Sequence, residues 1–279
     1  MELVSFLSPI IDAANKANAE APGDYVENGL LHCGRCRTPK QARHVFMGQE
    51  ITIGCLCKCA TEARDKEDAE RRQREEADRI MRLRSAGISS QEFRNARFAL
   101  DDGKAPVPMG VLKKYVSNWG QVYQDNVGLL LWGGVGTGKS FGAACVANSL
   151  IDRSVPACMV NLSSVLNTLT NFQGNRNEYI QELMQYPLLV LDDFGMERKT
   201  EFAVEQIFNL VDERYRSGKP LIVTTNLSIS TLKNPQSLEL ARVYDRLLEM
   251  CVPVNFGTQG RRQAKAETKM QRAAEFLLG

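Results

Sequence analysis

Eight consecutive residues, Gly133-Gly134-Val135-Gly136-Thr137-Gly138-Lys139-Ser140, satisfy the pattern G-x-x-x-x-G-K-[ST] in full. Each residue type there serves one chemical need. The glycines let backbone N–H groups turn inward around phosphate oxygens, where a Cβ would obstruct. Lys139 has the reach and charge for the β- and γ-phosphates, and the Ser140 hydroxyl suits Mg²⁺. ATP with Mg²⁺ is the ligand these groups fit. About 50 residues on, Leu188-Leu189-Val190-Leu191 runs into Asp192-Asp193. Two carboxylates closing a buried apolar strand are costly unless a cation or a water needs them. Asp192 fits the Mg²⁺ shell, and Asp193 fits the orientation and deprotonation of an attacking water. A third apolar run, Leu221-Ile222-Val223-Thr224-Thr225, ends in Asn226. That amide is either a strand-end turn residue or a partner for the γ-phosphate and the water.

A second chemistry lies near the N-terminus. Cys33-x-x-Cys36 and Cys55-x-Cys57-x-Cys59 place five of the eight cysteines within 27 residues. Tetrahedral zinc takes four ligands, and C-x-x-C is the usual knuckle for two of them. Any four of Cys33, Cys36, Cys55, Cys57 and Cys59 would complete a structural Zn²⁺ site; the alternative is a set of free thiols. No neighbouring acid suggests an open catalytic site, and His32 and His44 read as bystanders.

The elements needed to position these groups are visible as pattern. Apolar runs at Leu129–Trp132, Val155–Val160, Leu188–Leu191, Leu221–Thr224 and Cys251–Val254 alternate with helical stretches. Continuous apolar strands between helices indicate a parallel sheet covered on both faces. Strand, glycine loop and the helical pattern Phe141 to Leu150 is the order a phosphate loop requires, with the helix adding its positive N-terminal end. From Glu62 to Arg84, 16 of 23 residues are charged, eight of each sign. Acid precedes base by four in Glu67/Arg71, Asp68/Arg72, Glu70/Arg74, Glu75/Arg79 and Asp78/Arg82, the favourable orientation for helical ion pairs. This predicts an exposed helical connector, with Ile80 and Leu83 too thin a seam for an extensive coiled coil. The organisation expected is a cysteine-rich module over 1–60, the connector over 61–86 and a nucleotide-binding domain over 87–279. Net charge is +2 from 35 basic and 33 acidic residues, so nucleic-acid contact would need a local patch. No apolar run is long enough for a membrane span. Leu3, Phe6, Leu7, Ile10, Ile11 and Ala14 fall at helical spacing rather than as a signal peptide, and a cytoplasmic location is expected, with thiols rather than disulfides.

The stretches Gly128 to Ser140, Leu191-Asp-Asp-Phe-Gly-Met-Glu197, Asp212-Glu-Arg-Tyr215, Lys219 to Leu227 and Arg242-Val-Tyr-Asp-Arg-Leu247 resemble the AAA+ ATPases of the helicase-loader and IstB-like family. The resemblance runs from about Gly87 to Arg262. It implies an α/β AAA+ P-loop fold with a five-stranded parallel sheet between helices, preceded here by the zinc module and the charged connector. It makes Asn226 a sensor-1 residue. It places an arginine finger at Arg246, or one turn earlier at Arg242, and a sensor-2 arginine at Arg262 or the adjacent Arg261. A helical lid beyond that point would be short or absent. Implied partners are a replicative hexameric helicase, single-stranded DNA and further copies of the same chain. A transposition helper acting with a transposase is the alternative within the family. Many AAA+ chains carry Glu where Asp193 stands; the shorter side chain implies slow hydrolysis. The run Asn171 to Asn177, with Phe172 and Arg176, is the candidate for DNA contact.

Overall fold

The computed structural model describes residues 20–258 apart from 47, 172–174 and 196–199, together with 260, 270, 273 and 277. The chain divides into two compact units, Met1–Ala77 and Asp78–Gly279.

The first unit is built from two short antiparallel hairpins, β1 (Tyr25–Glu27) with β2 (Leu30–His32) and β3 (Gln41–Phe46) with β4 (Gln49–Gly54). Asn28 and Gly29 take φ of 53° and 73°. Two consecutive positive φ values form the tight turn whose twist matches that of the flanking strands. The apolar core here is slight: among the described residues up to 57, only Leu31, Cys33 and Cys57 are buried hydrophobics. Such a small module needs a staple.

Helix α1 (Lys58–Gly87) is 30 residues long and contains the charged stretch from Glu62 to Arg84. Of the five expected ion pairs only Glu70–Arg74 forms, at 3.6 Å; Arg71 pairs instead with Asp68 at 2.6 Å and Glu75 at 3.9 Å. Exposed pairs of this kind gain so little that rotamer entropy decides among neighbouring acids.

The second unit continues with α2 (Gln91–Arg94), α3 (Pro106–Ser117), α4 (Trp119–Gln124), β5 (Gly128–Trp132), α5 (Lys139–Ile151) and β6 (Ala157–Asn161). Next come α6 (Leu162–Asn171), α7 (Arg176–Gln185), β7 (Leu188–Phe194), α8 (Glu201–Arg216) and β8 (Leu221–Thr225). Helices α9 (Ile229–Lys233) and α10 (Leu238–Met250) and strand β9 (Cys251–Asn255) complete the described elements. The five strands β5–β9 form one all-parallel sheet in the order β6-β7-β8-β5-β9. Leu130, Leu131, Leu188 to Leu191 and Leu221 to Val223 are all fully buried, because helices cover both faces. One core packs α3 and α5 on one face, and the other packs α6, α8 and α10 on the opposite face. Two helices, rather than one crossover, link β6 to β7. No described helix is long and apolar enough to cross a membrane.

The amphipathic N-terminal segment falls outside the described residues. So do Arg261, Arg262 and positions 172–174 of the candidate DNA-contact run. Arg176, within that run, donates from Nε to Leu169 O at 2.8 Å and lies over the Phe202 ring at 5.3 Å.

Candidate ATP site and cysteine centre

In a parallel sheet the carboxyl ends of all strands share one edge, and ligands bind there. The phosphate loop, Asp192, Asp193 and Asn226 converge on that edge. The phosphate loop leaves β5 with Gly136 and Gly138 at φ of 75° and 99°, conformations that side chains with a Cβ rarely adopt. A Cβ on Gly133 would stand 2.5 Å from Gly257 O, so that glycine allows the loop after β9 to approach. Lys139 is buried, and its Nζ donates to Gly133 O at 3.0 Å, Gly134 O at 2.7 Å and Asn226 Oδ1 at 2.8 Å. This links the loop lysine directly to the end of β8. Thr137 Oγ1 donates to Gly134 O at 3.0 Å and braces the turn.

The two carboxylates do not alternate as in a regular strand. The β7–β8 ladder shifts register between Leu191 and Phe194, and Asp193 takes φ of 59°. Such a bulge re-aims a side chain. Asp192 is buried, while Asp193 faces the cleft. Thr224 holds both: its Oγ1 donates to Asp192 Oδ1 at 2.6 Å and accepts from the Asp193 N–H at 3.0 Å. Burial pushes the Asp192 carboxyl above its ordinary range, while hydrogen bonds from Thr224 and Ser140 oppose the shift. A buried carboxylate bonded to the loop serine is a hard-oxygen pair of the kind Mg²⁺ takes beside a triphosphate. Those two groups fit that ion. Asn161, at the end of β6, donates from Nδ2 to Asp193 Oδ2 at 3.3 Å and fixes the second carboxylate. Sequence alone does not single out Asn161; its signal is a polar residue ending an apolar strand, as at Asn226.

One cleft of about 230 Å³ is lined by the loop from Val135 to Phe141, by Asp193 and Asn226, and by Glu92, Phe93, Leu100 and Asp102. The last four lie between α1 and α3, a stretch with no sequence motif, and supply the wall beside the loop. Arg84 and Asn148 hold that stretch in place: Arg84 Nε donates to Asn148 Oδ1 at 3.0 Å, and Asn148 Nδ2 to Phe93 O at 2.7 Å.

Arg246 does not line this cleft. It borders a separate depression with Phe208, Arg242, Asp245 and Glu249. Its own helix offers Asp245 and, three residues on, Glu249; the fold supplies a third acid, Asp212 on α8, at 2.6 Å. Arg214, two residues on, is fully buried and donates to the carbonyls of Tyr186, Pro187 and Pro220. Burial lowers its pKa to about 10. It ties together the starts of β7 and β8, the strands whose far ends carry Asp192, Asp193 and Asn226.

In the first unit, one sulfur from each of Cys33, Cys36, Cys57 and Cys59 lies within 4.8 Å of the others. Cys33 and Cys36 come from the turn after β2, where Arg37 N donates to Cys33 O at 2.8 Å. Cys57 precedes α1, and Cys59 sits in its first turn. The Cys36 thiol is pulled down to about 5, chiefly by the Thr38 hydroxyl, and Cys59 is pushed up to about 12 by the Cys57 sulfur beside it. Four crowded soft donors in two pairs fit tetrahedral zinc. Cys55 is apart: its Sγ points to Pro39 O at 3.8 Å, because its own N–H is bonded to Lys40 O where β4 ends. Neither His32 nor His44 belongs to the cluster.

A parallel five-stranded sheet with a phosphate loop after β5, and with carboxylates and an amide at the adjoining strand ends, defines a AAA+ P-loop nucleotide-binding protein. Residues 63–268 match the family described as IstB-like ATP binding protein, and the chain belongs to that family. It is 26% identical over 147 residues to the replicative helicase loader DnaI of Bacillus subtilis (strain 168), covering 48% of this chain and 47% of that one. It is 30% identical over 100 residues to a protein of Mycobacterium tuberculosis (strain ATCC 25618 / H37Rv) described as ATP-binding and in an insertion sequence, covering 35% and 40%. The crystal structure of the DnaC helicase loader superposes with a TM-score of 0.51 at 22% identity, covering 60% of this chain and 99% of that one. The chain thus spans about half the length, or less, of the curated relatives named here.

Proposed function

We propose that the chain hydrolyses ATP slowly and uses its nucleotide state to load a replicative hexameric helicase onto DNA. The observation that carries this reading is the pairing of an ATP cleft with a separate four-cysteine unit. One unit carries the nucleotide cleft, and the other carries the cysteine centre. The similarity to DnaI points the same way. The domain division proposed is the zinc module over 1–60, the connector over 61–86 and the ATPase over 87–279.

In this reading Lys139 and the loop N–H groups bind the phosphates, and Asp193 accepts the proton of the attacking water. Asn226 orients that water, and Asn161 holds the Asp193 carboxylate. Ser140 and Asp192 would hold Mg²⁺, which neutralises charge on the β- and γ-phosphates. Arg246 would act on the γ-phosphate of a neighbouring copy, and Arg262 on that of its own chain. Zinc held by Cys33, Cys36, Cys57 and Cys59 would supply folding energy to the small unit. Single-stranded DNA would be contacted by the loaded assembly.

A second reading, a helper ATPase for a transposase, is favoured by the 30% identity to the insertion-sequence protein. Affinity purification of the tagged full chain from its native host with ATP separates the two. The proposal expects a hexameric helicase, lost when Cys33 and Cys36 are replaced by Ser. Recovery of a transposase without helicase would reverse the assignment.

A further inference from the structure

The stretch Asp212-Glu213-Arg214-Tyr215 plays no part in the nucleotide cleft, yet three side chains of its helix converge on one arginine. Arg246 Nη2 lies 2.6 Å from Asp212 Oδ1. Its guanidinium carbon stands 4.9 Å from the centroid of the Tyr215 ring and 5.6 Å from that of Phe208. Phe208, Asp212 and Tyr215 are spaced four and three residues apart, so they share one face of α8. Tyr215 is itself tied to α10, its hydroxyl donating to Glu249 Oε1 at 2.7 Å.

We propose that Asp212, Tyr215 and Phe208 form a clamp that presets Arg246 for delivery to the nucleotide of a second copy of this chain. The inference rests on the reading of Arg246 as a finger acting between subunits. The charges support it. Asp212 has a side chain only 9% exposed and is shared with Arg216, whose Nε lies 2.8 Å from Oδ2. Two guanidiniums divide that one carboxylate, so it holds Arg246 without pairing with it alone. Arg246 remains 27% exposed, so it is gripped without being sealed in. An unclamped arginine samples many rotamers, and freezing one on assembly opposes the encounter; prior ordering removes that cost. The aromatic faces also favour a guanidinium over an ammonium. Asp212, Tyr215 and Phe208 are therefore positioning residues, acting through Arg246.

The test is ATP turnover of the full chain, alone and in mixtures, at a concentration where wild-type turnover rises with protein concentration. Asp212→Asn should keep wild-type ATP affinity while kcat falls at least ~10-fold, a fraction of the ~10³–10⁵-fold worth of a finger. Asp212→Glu should recover part of that loss. Mixing Asp212→Asn with Lys139→Ala should restore turnover, because the Lys139→Ala copy brings an intact clamp and finger to the other's intact phosphate loop. Should Asp212→Asn fail to fold, Tyr215→Leu carries the same expectations. Arg246→Ala inactive beside Asp212→Asn at the wild-type rate would overturn the clamp alone. No recovery in the mixture, with Arg246→Ala complemented by Lys139→Ala, would reduce the contact to a structural staple. Arg246→Ala at the wild-type rate would overturn the finger reading itself, and the clamp with it.

Discussion

Asp193→Asn removes one charge and almost nothing else. Asp193 holds φ of 59°, and Asn is one of the few residues that tolerates the left-handed region, because a short polar side chain can bond locally. The Asp193 N–H to Thr224 Oγ1 bond at 3.0 Å belongs to the backbone and survives. An amide oxygen can still accept from Asn161 Nδ2, now 3.3 Å from Oδ2. The stability change should therefore stay below ~1 kcal/mol, the scale of one ordinary hydrogen bond. Turnover should fall by ~10²–10⁴-fold, the usual worth of a general base. At 1.36 kcal/mol per decade this raises the barrier by ~2.7–5.4 kcal/mol. ATP affinity should hold, because Lys139 and the loop are untouched. Asp193→Ala supplies the contrast: it loses the charge and also the local bonding that eases the left-handed backbone, adding up to ~1–2 kcal/mol of instability. Phosphate release at saturating ATP and chemical denaturation measure the two effects separately. Wild-type phosphate release by Asp193→Asn would place the base elsewhere.

Elemental analysis of the purified chain should give about one zinc per chain, lost in Cys33→Ser/Cys36→Ser and retained in Cys55→Ser; loss in Cys55→Ser would refute the choice of four. Metal release should increase as pH falls, since thiolates must be deprotonated to bind. Replacing Arg214 with Met removes a donor from one buried and two part-buried carbonyls, so urea unfolding should show a loss of ~1–3 kcal/mol, with Arg214→Lys intermediate. A neutral Arg214→Met would show that the carbonyls find other donors.

The strand ends were the most legible part of the molecule. Each of the five apolar runs of the sheet begins within two residues of an observed strand start; in β5, β7 and β8 burial on both faces leaves little room for polar residues until the edge where ligands bind. The phosphate loop is legible for a related reason: its glycines and Lys139 answer to one ligand. The contacts of Asn161, Phe93 and Asp212 are not legible, although Asp212 stands in a stretch that carries the resemblance, since they depend on which strands and helices become neighbours. Local sequence does not carry that pairing. The helix through the charged stretch is readable from its charge pattern, whereas its particular ion pairs are not, because alternatives of nearly equal energy lie one turn either way. The hairpin at Asn28-Gly29 does carry a local signal, although the cysteines around it dominate the reading of that segment.

Isothermal calorimetry of ATP with Mg²⁺, titrated into the wild-type chain and into Lys139→Ala, tests the central claim most directly. Lys139 joins Gly133, Gly134 and Asn226 at the shared sheet edge. The wild type should bind one ATP per chain, and Lys139→Ala should bind ATP undetectably while unfolding as cooperatively as the wild type. Equal affinity in the two proteins would mean that the nucleotide is not held by this loop.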